Sequence, residues 1–333
     1  MPLPRDASFP LPALALFAAL LLAVWPASAQ PLVPESSIEL PAVGGRIDHL
    51  AIDLQANRLF IAALGADSLE VVDLAADRRL ARIRSLHEPQ GVAYAASGQR
   101  LFVANGSAGN VQAFAAAGPP AVATADDLDD ADNLRLDAQA GRLYVGYGHA
   151  LAVLEAGTLR RVQRIELSGH PEAFELERQG GRIFVNVPGA GHIAVVDRAS
   201  GKVTATWPVA GARGNFAMAL DEPGRRLFVA TRQPAQLLAY DTASGRRVAA
   251  LPVCGDADDL FFDGSRRQLY AVCGEGVVDV VRQIDPDHYE IAQRLPTAAG
   301  ARTGLFVPER SQLFVAVPSR GPVPAQIRAF KVR

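Results

Sequence analysis

Hydrophobic residues along this chain come in short runs, many of them alternating with polar ones. No stretch sustains the 3.6-residue apolar period of a helix. One run keeps returning: an Arg or Gln, an aliphatic residue, an aromatic, then small or β-branched residues. It reads RLFIA from Arg58, RLFVA from Arg100, RLYVG from Arg142, RIFVN from Arg182, RLFVA from Arg226, QLYAV from Gln268 and QLFVA from Gln312. Successive copies start 40 to 44 residues apart. The copy around Arg226 divides into four strand-like pieces, FAMALD, RRLFVAT, AQLLAYD and RRVAALPV, with turn residues such as EPG and TASG between them. A period of this length with strand content predicts an all-β fold, a seven-bladed β-propeller of four-stranded antiparallel blades.

The seventh copy ends at QIRAFKV, which is only its third strand. The missing fourth strand stands at the other end of the chain. SSIELPAVGG, Ser36 to Gly45, matches QRIELSGHP and RRVAALPVCG. The N-terminal strand is therefore expected to complete the last blade and close the circle, which removes an open edge. Phe60, Phe102, Tyr144, Phe184, Phe228, Tyr270 and Phe314 recur once per unit and are predicted to be core. Trp207 is read as packing.

Composition adds a compartment. An apolar run from Leu11 to Val24 precedes ASAQ, with small residues at Ala27 and Ala29. This pattern predicts a secretory signal over residues 1–29 and one propeller domain over 30–333, periplasmic or secreted. No other stretch is long enough to span a membrane. The net charge of −2 carries no nucleic-acid signature. Cys254 and Cys273 fall in one repeat. Counting back from the turn GSRR places Cys273 roughly opposite Asp258, with Cys254 just upstream, so a disulfide is expected; the alternative is two buried thiols.

In such a fold the loops leading into each innermost strand gather at one mouth of the central channel. Here they read IDH, EPQG, DADN, GHPE, RGNF, DADD and ART. The acidic clusters Asp130 to Asn133 and Asp256 to Asp259 should therefore converge on one funnel. The candidate ligand-binding residues are Asp48, His49, Gln90, Asp132, Asn133, Glu172, Asn215, Asp258, Asp259 and Arg302. Crowded carboxylates need a cation, an arginine or raised pKa values. Three readings follow: a solvated rim neutralised by Arg302 and Arg213, a site for a small polar ligand or a partner, or a site for a divalent cation. Asn133, Glu172, Asn215 and Asp258 are suitable types for Ca²⁺. His49, His87 and His170 fall in the same loops, with His149 and His192 on the same face, but no zinc-like spacing occurs.

LFVAN at Leu101 to Asn105, VVD at Val71 to Asp73, AVVDRASG at Ala194 to Gly201 and AYDTASG at Ala239 to Gly245 resemble the YVTN-repeat propellers, including YncE-like periplasmic proteins. The resemblance covers the chain after residue 29 and implies a binding platform. The four candidate metal residues are similar to the Glu/Asn/Asn/Asp shell of six-bladed gluconolactonase-like hydrolases. The first functional reading is an exported, monomeric, non-enzymatic binding or scaffold protein with no expected cofactor. The alternative is a metal-dependent, lactonase-like hydrolase with Glu172 as candidate base.

Overall fold

The computed structural model of the protein describes Met1 and residues 30–115 and 118–333; the rest of the expected secretory segment lies outside the described residues. Seven four-stranded antiparallel sheets follow one another along the chain. Among the described residues the helical elements are three short 3₁₀ turns.

Burial explains why the strands read as they do. In the first blade, Leu50–Asp53 lies innermost, followed by Arg58–Ala63, Ser68–Asp73 and Arg78–Ile83. Arg58–Ala63 buries five of its six residues, because neighbouring blades cover both its faces. Arg78–Ile83 lies outermost and buries only Ile83. The once-per-blade aromatics are at most 5 % exposed. Trp207 packs between Phe184 and Tyr240, at centroid distances of 5.3 and 6.2 Å. Gly245 adopts φ +70° beneath it, where a Cβ would lie 2.3 Å from the indole nitrogen.

The ring closes through the N-terminal strand. Leu32–Leu40 pairs with Ala325–Val332, with Ile38 opposite Ile327 and Leu40 opposite Ala325. The Gln293 side chain clamps Leu32 by donating to its carbonyl and accepting from its amide. The strand begins and ends earlier than the expected Ser36 to Gly45. Leu32, Ile38 and Leu40 supply its buried face, and the chain then turns at Ala42, φ 60°. Pro41 to Gly45 instead crosses to the first blade, where Gly45 meets Gly65 backbone to backbone.

The expected disulfide joins Cys254 to Cys273 across 5.9 Å between Cα atoms. No helix among the described residues is long and apolar enough to cross a membrane.

Candidate functional site: a polar collar at one mouth of the channel

The residues entering each innermost strand occupy equivalent places. The amides of Asp48, Asp132 and Glu172 donate to the carbonyls of Ala62, Gly146 and Asn186, at 2.8, 2.9 and 3.0 Å. Each of the three stands ten residues before the Arg that opens its repeat. The same position in the other blades holds Gln90, Phe216, Asp258 and Arg302. One residue per blade thus forms a collar: Asp48, Gln90, Asp132, Glu172, Phe216, Asp258 and Arg302.

Two glycines seat the acidic loops. A Cβ at Gly91 would lie 2.1 Å from the Asp132 carbonyl oxygen, and one at Gly274 would lie 2.1 Å from Asp256 Oδ2. Asp130 and Asp256 open their loops in the left-handed region, φ 53° and 62°, which Asp tolerates better than most side chains.

The two arcs of the collar differ in charge balance. Arg46 Nη2 lies 2.7 Å from Asp48 Oδ2 and 3.9 Å from Asp258 Oδ2. Arg232 Nη2 donates to Asp258 Oδ1 at 2.5 Å, and its Nε lies 3.2 Å from Asp256 Oδ1. The Arg232 guanidinium sits 3.7 Å from the centroid of the Phe216 ring. Arg302 pairs with Asp256 at 2.9 Å. His49 lies 3.4 Å from Asp259, whose other oxygen accepts the Gly304 amide at 2.9 Å. Across the channel no arginine reaches Asp132 or Glu172 among the described residues. The nearest cation to Asp132 is His170 Nε2 at 4.0 Å. Glu172 makes neither an ion pair nor a side-chain hydrogen bond among the described residues. Gln90 Nε2 reaches Asp130 at 3.5 Å.

Crowding moves the proton affinities. Burial pushes Asp48 up to about 7 despite His49 and Arg46. Burial, then the charge of Asp132, pushes Glu172 up to about 8. Burial also raises Asp258. Burial pulls His49 down, but Asp259, Asp48 and Asp132 outweigh it and carry the imidazole up to about 10. The nearby Asp132 carboxylate, with the charges of Asp130 and Glu172, raises His170 against the pull of burial.

Of the residues read from sequence, Asp48, His49, Asp132, Glu172, Asp258 and Asp259 come together, with Gln90 and Arg302 beside them. Asn133 and Asn215 turn elsewhere. Asn133 Oδ1 accepts from Arg135 at 3.4 Å. Asn215 Nδ2 donates to Asn186 Oδ1 and the His192 carbonyl, both at 3.1 Å. Asn133, Glu172, Asn215 and Asp258 therefore do not converge as four free ligands. Among the described residues no group of three or more His, Cys, Asp or Glu is placed to hold a metal ion. Arg213, read as a neutralising residue, is exposed and makes no ion pair among the described residues. Arg46 and Arg232 take that role instead.

The loop reading missed Arg46 and Arg232, and it left Asp130, His170 and Asp256 out of the candidate set. Arg46, Asp130, His170 and Asp256 all stand two residues before a collar position, so the repeat register carries the signal. Arg232 stands six residues after Arg226, where the other blades carry Leu64, Gly106, Gly148, Pro188, Gly274 and Pro318. The fifth blade extends its strands Arg213–Asp221 and Arg226–Gln233 to deliver it. Below the collar lies a cavity of about 280 Å³, lined by residues of all seven blades, including Leu50, Val92, Leu134, Met218, Leu260 and Leu305. Arg135 and Glu175, 3.6 Å apart, line the same cavity.

No family model and no curated protein matches the chain. Solved structures do. The chain is similar to Kuenenia stuttgartiensis hydrazine synthase, with TM-score 0.69 and 17 % identity over 83 % of this chain and 95 % of that one. It is also similar to a chain in a crystal structure of the mitotic checkpoint complex, with TM-score 0.76 and 13 % identity over 98 % of both. At these identities the likeness extends to the fold, and the chain is a seven-bladed β-propeller scaffold.

Proposed function

We propose that this chain is an exported binding protein of the YVTN-repeat, YncE-like type, which takes a small polar ligand, or a polar group of a periplasmic partner, into the funnel. The observation that carries the reading is the collar: one residue per blade at a single structural position, with no arginine in ion-pair contact with Asp132 or Glu172 among the described residues. A propeller offers one such convergent mouth per face, and function on a shared fold lies in the site it carries. Export is supported by the apolar run Leu11 to Val24, by the small residues at Ala27 and Ala29, and by the disulfide.

A thermal-shift screen of small polar molecules tests this with three variants. Hits should be lost in Glu172→Gln and Asp258→Asn and kept in Asp241→Asn. Asp241 holds the Ser244 turn away from the funnel. Equal responses in all three would overturn the reading.

A second reading, a lactonase-like hydrolase, draws on Glu172, since a carboxylate held up to about 8 suits a general base near neutral pH. Metal content after gentle purification, with lactone hydrolysis assayed beside it, separates the two.

A further inference from the structure

We propose that the central cavity below the collar binds a small neutral molecule with an aliphatic body and a carboxamide head, the head lying between Arg135 and Glu175. This site is separate from the collar acids and goes beyond the funnel reading above.

The pair is the polar exception in an apolar layer. In every blade one residue of the innermost strand stands opposite the recurring aromatic of the next strand. Five of these residues are Ala51, Ala93, Ala219, Phe261 and Leu305. The other two are Arg135, opposite Tyr144, and Glu175, opposite Phe184. Both line the cavity of about 280 Å³, whose other walls include Leu50, Val92, Met218, Leu260 and Phe306. Both also line a second cavity of about 410 Å³, with Asp137, Gln139 and Arg198, towards the opposite face of the ring. The two cavities share no other residue, so the pair is the floor of the central one.

The two side chains are close without being bonded. Arg135 Nη2 lies 3.6 Å from Glu175 Oε1, beyond hydrogen-bond length. Arg135 spends Nη1 on the Leu134 carbonyl at 3.0 Å and on Asn133 Oδ1 at 3.4 Å, which leaves Nη2 a free donor. Neither carboxylate oxygen of Glu175 accepts a hydrogen bond among the described residues, although the side chain stands in the cavity wall. His49 and Asp259, the other charged residues of that wall, already lie 3.4 Å from each other. The charges of Arg135 and Glu175 cancel, so an anionic head would be repelled by Glu175 and a cationic one by Arg135. A carboxamide is neutral, and one planar group carries an acceptor for Nη2 and two donors for the carboxylate. The apolar walls suit an aliphatic body. The cavity has the volume of roughly nine waters at about 30 Å³ each, room for a short carbon chain with its head.

The test is titration of the mature chain with n-pentanamide, pentanoate, n-pentylammonium and acetamide, followed by calorimetry. We expect saturable binding of n-pentanamide, with the other three at least about tenfold weaker. Glu175→Met should weaken n-pentanamide about tenfold or more and let pentanoate bind instead, since Arg135 then stands alone. Arg135→Met should weaken it likewise and favour n-pentylammonium. Glu172→Gln and Asp241→Asn should leave n-pentanamide binding unchanged. The wild-type panel decides the ligand class even if a variant fails to fold. Pentanoate, n-pentylammonium or acetamide binding the wild type as tightly as n-pentanamide would overturn the proposal. So would n-pentanamide binding that survives both methionine variants; if it is lost in Glu172→Gln, the ligand sits at the collar and the funnel reading stands. No binding of n-pentanamide to the wild type would overturn the proposal and leave the collar reading untouched.

Discussion

The loops Asp130 to Asn133 and Asp256 to Asp259 have nearly the same sequence and the same left-handed opening residue, and each packs against a glycine, yet they have opposite electrostatic fates. The later loop is largely matched, though the buried Asp258 Oδ2 accepts no hydrogen bond. Arg46, Arg232 and Arg302 bracket Asp256 and Asp258, His49 and the Gly304 amide hold Asp259, and the disulfide fastens the stem. The earlier loop has His170, and Asp132 shares its arc with an unpaired Glu172. Equivalent backbone thus carries two kinds of acid, one paired with arginines and the other without an arginine partner among the described residues. The difference originates in neighbours: the fifth blade extends a strand to present Arg232, while the third and fourth do not.

Removing Arg232 should erase the distinction at the greatest cost. Arg232→Met strands Asp258, leaves Asp256 to Arg302 and takes the guanidinium off the face of Phe216, so we expect a loss of about 3–4 kcal/mol in urea unfolding. A loss under about 1 kcal/mol would mean that the matched loop does not depend on its arginines.

Unfastening the stem comes next. Replacing Cys254 and Cys273 together by Ala should cost about 3 kcal/mol, since the bridge closes a loop of 19 residues. The melt of the variant should no longer respond to reductant. A variant as stable as the parent would mean that the bridge does not hold this loop.

The sharpest pairwise contrast is Asp258→Asn against Asp132→Asn. The first breaks charge-assisted bonds to Arg232 and should cost about 2 kcal/mol. The second relieves repulsion with Glu172 and should fall within about 0.5 kcal/mol of the parent. Equal costs would collapse the comparison.

A gentler probe is pH. Asp48 and Glu172 have folded values raised above their unfolded ones, so the native state holds more protons than the unfolded chain. Their contribution is fully present below about pH 4 and is lost as pH rises through about 7 and about 8. His49 extends the same trend to about 10. Melting temperature should therefore drift down from pH 5 to pH 9. A rise across that window would show that other groups dominate.

Much of this was legible in the sequence, for physical reasons that can be named. Strand pairs buried on both faces must be apolar, so RLFVA-like runs at a fixed period announced the blades. The closing strand was legible because QIRAFKV lacked a partner. Its limits were not, since Pro41 to Gly45 keeps the composition of a strand while crossing to the next blade. Collar acids were readable from their loops. Their partners were harder, because Arg46 precedes its strand and Arg232 follows one, and both read as ordinary surface arginines. Asn133 and Asn215 are suitable residue types facing other ways. A composition argument cannot see that Asn215 spends its amide on Asn186 and His192.

Urea unfolding of Glu172→Gln beside the wild type, at pH 4 and at pH 9, tests the central claim most directly. At pH 4 Glu172 is protonated in the folded chain and largely so in the unfolded one, and it is nearly isosteric with Gln, so the two proteins should unfold together. At pH 9 the carboxyl is ionised in the unfolded chain while burial and Asp132 oppose its ionisation in the folded one, and the variant should be the more stable by about 2 kcal/mol or more. A variant less stable than the wild type by about 1 kcal/mol or more at both pH values would show that Glu172 serves the fold, and that the open arc is not reserved for a ligand.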